Sequence, residues 1–92
     1  MKVTAASAIE LIKECIGDDQ DFCTARNFKT STRKSSTVQF TINILSLDLL
    51  FSIMELEEVE NVYFHPSAAP PKAHVSPTAS RYKVYVQFIE LI

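Results

Sequence analysis

The chain has a single glycine, Gly17, and no tryptophan. Glycine is the residue that reaches positive φ without steric cost. Two-residue hairpins of the Asn-Gly kind are absent, so strand connections are expected to be longer polar loops. No apolar run approaches the roughly 20 residues that cross a bilayer. The first residues, MKVTAASAIE, lack the apolar stretch of a secretory signal, and the expectation is a cytoplasmic protein. Cysteine is scarce. Cys15 and Cys23 make no disulfide framework. They read as two reduced thiols, one of them in the core, with a bridge between them open to the chain in an oxidising compartment. Charge of either sign is not in excess: the net charge is −2, and no global field singles out a nucleic acid or a membrane. A glycine-rich phosphate loop, a nucleophile elbow and an HExxH helix are all missing. The expectation is therefore a protein that is not an enzyme and carries no cofactor.

What is present is enough for one core. The chain has 92 residues, 47% hydrophobic and 22% charged, which are values of a single chain that folds. Split in two, each half would be too short to bury a core.

Periodicity divides the chain. Ala5, Ala8, Ile9, Ile12, Cys15 and Ile16 fall at helical spacing, which predicts a helix over 4–16 with Lys13 and Glu14 facing away. Thr4 or Ser7 can cap it, and Ser7 with Glu10 fits a capping box. Gly17 ends it. Residues 22–30 read as a strand whose blurred alternation assigns no face. Residues 31–35 form a polar basic loop. The clearest strand is 36–45, with Val38, Phe40, Ile42 and Ile44 on one side and Thr37, Gln39, Thr41 and Asn43 on the other. It pairs with 22–30 as a hairpin. Ser46 is a good N-cap for a second helix over 47–58, with Asp48 in its first turn. Leu47, Leu50, Phe51, Ile53 and Met54 give that helix a wide apolar surface, which is either deeply buried or partly covered by a partner. A third strand is expected at 59–64. All four prolines, Pro66, Pro70, Pro71 and Pro77, fall in 65–79, which reads as a long loop. In the last strand, 80–92, Tyr82, Val84, Val86 and Phe88 face in and Arg81, Lys83, Tyr85 and Gln87 face out. The expected fold is one α+β domain over 1–92 in the order αββαββ. It has a four-stranded, mainly antiparallel sheet with both helices on one face.

Four groups of residues are candidates for binding. Glu55, Glu57, Glu58 and Glu60 crowd the end of the second helix, where carboxylates oppose the helix dipole. Helix stability did not select them. A solvated face is the commoner explanation, and a basic partner is the functional one. Pro70, Pro71, Lys72 and His74 lie in a loop long enough to dock on a partner or simply to connect two strands. Arg26, Lys29, Arg33 and Lys34, with Arg81, Lys83 and Tyr85 on the wet sheet face, are the residues of an alternative nucleic-acid-binding module. Tyr85 is the one aromatic assigned there, and a solvated strand carries the same residue types, which makes that alternative the weaker. Cys15, Cys23, His65 and His74 supply four zinc-ligand types. Seven residues separate the cysteines and eight the histidines, unlike the short chelating knuckles of structural zinc, so no metal is expected. The apolar end of the chain, Ile89, Leu91 and Ile92, is either core wrapping around a sheet edge or the contact of a homodimer. Taken together, the residues favour non-enzymatic protein binding by a small adaptor or inhibitor, of the sort that viruses and mobile elements encode.

Overall fold

Alternation from Thr37 to Ile42 makes the strand on which the rest is assembled. The structure is a computed structural model that describes residues 3–17, 25–31, 36–66 and 81–92. Its elements are α1 (Ala5–Ile16), β1 (Arg26–Ser31), β2 (Thr37–Ile42), α2 (Leu47–Met54), β3 (Val59–Pro66) and β4 (Tyr82–Phe88), the expected αββαββ order. The sheet runs β1-β2-β4-β3 and every pairing is antiparallel. β2 and β3 both flank β4 and are therefore parallel to each other. With α2 joining them they form a split β-α-β unit.

Register sends both side chains of each opposed pair to the same face. Val38 opposes Val86, Phe40 opposes Val84, and all four are fully buried. Ala8 and Ile12 of α1, and Leu49 and Ile53 of α2, close this face from above. Phe28 of β1 also points here and stacks on Phe40 with ring centroids 5.1 Å apart, which settles the face that alternation left open. Asn27 in β1 has φ 60, and the register slips between Arg26 and Lys29. A bulge of this kind inserts an unpaired residue and erases strict alternation. Lys13 does not simply face water: its ammonium sits 5.3 Å from the centre of the Phe28 ring.

Several boundaries differ from those expected. The α1 cap is Thr4, whose Oγ1 accepts from the Ser7 backbone N–H at 3.1 Å, so Ser7 is inside the helix rather than its cap. The inward stripe of β2 ends at Ile42. Asn43 is buried and Ile44 exposed, because the strand stops and the chain bends before them. No buried side-chain nitrogen or oxygen among the described residues lacks a hydrogen-bond partner, Asn43 included. α2 stops at Met54. The apolar periodicity that predicts four more residues of helix is carried by Leu56, half-buried in a turn closed by its N–H donating to the Ile53 carbonyl at 3.1 Å. Glu57 and Glu58 accordingly lie in that turn. His65 and Pro66, expected in the loop, extend β3. Proline is accepted there because β3 is an edge strand and Pro66 is its last residue. β4 ends at Phe88. Leu91 then forms a parallel bridge with Val3, and both are buried. Leu91 thus belongs to the core and not to a homodimer contact, whereas Ile89 and Ile92 are exposed.

An eight-residue helix is too short to hold itself in water. α2 depends on its packing and on Ser46, whose Oγ accepts from the Leu49 backbone N–H at 3.1 Å. Ser46→Ala is expected to cost about 1 kcal/mol. In urea this appears as a lower midpoint with an unchanged slope.

Candidate functional site

α2 is apolar on two sides. Leu49 and Ile53 enter the core, whereas Leu47, Phe51 and Met54 are 68%, 60% and 44% exposed. At about 100° per residue these three fall within an arc of about 60°, nearly opposite the buried pair. The charged residues that flank this stripe in sequence are acidic. Asp48, Glu55, Glu57 and Glu60 are exposed, and no lysine or arginine occurs between Lys34 and Lys72. Glu55 is the C-cap of α2, where its charge opposes the helix dipole as expected from the sequence. Glu60 sits at the bulge between Val59 and Asn61.

Glu58 is half-buried, and its carbonyl accepts from the Ile89 N–H at 3.0 Å. With Glu10 and Glu14 of α1 it rims a groove of about 450 Å³ floored by Val3 and Leu11. The structure thereby adds two carboxylates to the cluster. The sequence signal for them was the i, i+4 spacing of Glu10 and Glu14 on the polar side of α1. What the sequence could not supply was the packing that brings them to Glu58.

The opposite face of the sheet holds the second site. Lys29, Gln39, Tyr85 and Tyr63 stand in one row across the four strands, and Thr41, Lys83 and His65 in the next. The Tyr63 and Tyr85 rings stack at 4.9 Å with 11° between their planes. His65 meets both edge-on, at 6.2 Å from Tyr63 and 5.0 Å from Tyr85. Tyr85 and Lys83 are where the sequence put them, and Arg81 is exposed just before β4. Tyr63 and His65 were missed because VENVYF has no alternation. Only the β3–β4 register places them beside Tyr85.

Of the other candidates, Arg26 lies in β1 but its side chain is outside the described part, as are Arg33 and Lys34 and the loop residues Pro70, Pro71, Lys72 and His74. Cys23 is likewise outside it. Cys15 packs against the helix side of the core, its thiol donating to the Ser52 carbonyl oxygen at 3.8 Å. Burial, with a smaller contribution from the Glu14 charge, pushes this thiol above its ordinary pKa, which disfavours the nucleophilic thiolate. Cys15 and His65 are on opposite faces of the sheet and share no site. Among the described residues no three His, Cys, Asp or Glu side chains are grouped to hold a metal, and no helix is long and apolar enough to cross a membrane. No protein-family model matches the chain, and neither curated proteins nor solved structures give a significant match.

Proposed function

We propose that this domain is a non-enzymatic protein-binding module, an adaptor or inhibitor that occupies a partner's surface through the outer side of α2. The observation that carries this is the exposed Leu47–Phe51–Met54 stripe. A helix of a lone domain gains nothing from showing three large apolar side chains to water. The acidic residues that flank it in sequence specify the occupant. It is an amphipathic helix of a partner protein, apolar along one side with lysine or arginine beside it, packed along α2 as helices pack on one another. Charge complementarity of this kind acts chiefly on the rate of encounter and the choice of partner.

Titrating the full chain with an amphipathic leucine–lysine peptide, followed by amide NMR, tests the reading. The expected result is shifts concentrated between Leu47 and Glu60. Glu55→Lys with Glu57→Lys should slow association and flatten its salt dependence. Equal binding of a leucine–glutamate peptide, or shifts that leave α2 untouched, would refute it.

A further inference from the structure

We infer that the open face of the sheet is a second binding site, for single-stranded nucleic acid, with a base stacked on Tyr85 and phosphates held by Lys29 and Lys83. This site is on the other side of the sheet from α2 and does not depend on the protein-binding role.

Three observations meet here. First, the stacked pair Tyr63–Tyr85 leaves one side of Tyr85 facing a hollow of about 340 Å³, walled on its far side by Lys29. That volume is at the lower end of small-ligand pockets, roughly 300–1,000 Å³, and an aromatic wall suits a flat ring. Gln39 lies between Tyr85 and Lys29 in the same row, so its amide is on the floor and can meet the edge of a base. Second, the charge is of the right sign. Apart from Glu60 at the bulge, the four strands contain no carboxylate, whereas the two rows contribute Lys29 and Lys83. Among the described residues, Asp48, Glu55, Glu57 and Glu58 lie instead on α2 and its following turn. Third, the rows are arranged for a strand rather than a lone base. Lys29 stands beside the hollow and Lys83 one row further along the sheet, with the His65 ring next to it. A backbone crossing the sheet from the Tyr85 row to the next would pass both ammonium groups. A cross-strand tyrosine pair also stabilises a sheet by itself. That explains the stack but not a lysine-walled hollow beside it.

The test is binding of fluorescein-labelled oligouridylate to the full chain, read by anisotropy at increasing salt. With two phosphate contacts, log affinity should fall against log salt with a slope of about −1.4, from about 0.7 per contact on a single strand. Tyr85→Ala should lose roughly tenfold or more in affinity, and Tyr85→Phe should keep it, because the ring and not the hydroxyl does the stacking. Lys83→Glu should weaken binding and flatten the slope, whether or not Tyr85→Ala folds. Leu47→Ser, on the other face, should leave binding unchanged. The inference fails if no binding is seen at low salt, or if Lys83→Glu or a folded Tyr85→Ala variant binds like the parent. It also fails if uridine monophosphate binds as tightly as the oligomer, which would make the hollow a mononucleotide pocket.

Discussion

Phe40→Ala will cost the domain about 3–5 kcal/mol, the range for emptying a buried phenylalanine site. Phe40 is fully buried in β2, next to a central strand on one side and to Phe28 on the other. Its ring is half of the stacked pair with Phe28, and such a pair adds about 0.5–1.5 kcal/mol beyond the area it buries. The walls of the vacancy cannot collapse easily, because β2 is held on both sides by backbone pairing to β1 and β4. A domain of this length has about 5–14 kcal/mol of stability at roughly 0.05–0.15 kcal/mol per residue. The variant is therefore expected to be marginal or unfolded. Its thermal midpoint should drop by at least about 12 °C, taking 4–8 °C per kcal/mol for a domain of this size. A drop of less than about 5 °C would mean that β2 does not sit at the centre of the core.

The same substitution at Phe51 will have the reverse pattern. Phe51 is 60% exposed and its removal opens no cavity. Alanine is the better helix former, so the change in stability should stay within about 0.5 kcal/mol. Association with a cationic amphipathic helix, however, loses its aromatic anchor. Aromatic side chains at the centre of an interface are typically worth about 2 kcal/mol or more, which is about 30-fold in affinity. Calorimetric melting and peptide titration on one preparation separate the two effects. A Phe51→Ala variant that melts early would show that the ring is packed within this chain, and one that binds the peptide undiminished would show that the stripe is not the docking surface. Comparing Phe40 with Phe51 also isolates burial as the variable, since the atoms deleted are the same.

Strict alternation made β2 and β4 legible. Val38, Phe40 and Ile42 in one, and Val84, Val86 and Phe88 in the other, are buried as the two-residue period requires. The start of α2 was legible for the same kind of reason, since Ser46 is a short side chain whose oxygen reaches an unpaired backbone N–H; for α1 the sequence offered Thr4 or Ser7, and it is Thr4 that caps. The signals failed where the chain leaves its period. Ile44 continues the stripe in sequence but lies past the end of β2. Leu56 continues the α2 pattern from inside a turn. The bulge at Asn27 hid the inward face of β1. The α2 stripe lies within one stretch of sequence, whereas the acidic groove and the sheet face were only half visible, since each combines residues far apart in the chain. Glu58 meets Glu10 and Glu14 through helix packing, and Tyr63 meets Tyr85 through strand register. Composition can flag the acidic run and the lone Tyr85, but the partner that completes each is a property of the fold.

The bridge between Val3 and Leu91 has a topological consequence. Backbone bonds on both sides of it, from the Val3 N–H to the Glu90 carbonyl at 3.2 Å and from the Ile92 N–H to the Val3 carbonyl at 2.9 Å, hold these two stretches side by side. Read cyclically from β4, the elements run β4, α1, β1, β2, α2, β3. That order is β-α-β-β-α-β. β4 leads through α1 into β1, straddling β2 just as β2 leads through α2 into β3, straddling β4. The domain is thus two interlocked split β-α-β units written from a shifted starting point, a circular permutation of the ferredoxin-like arrangement.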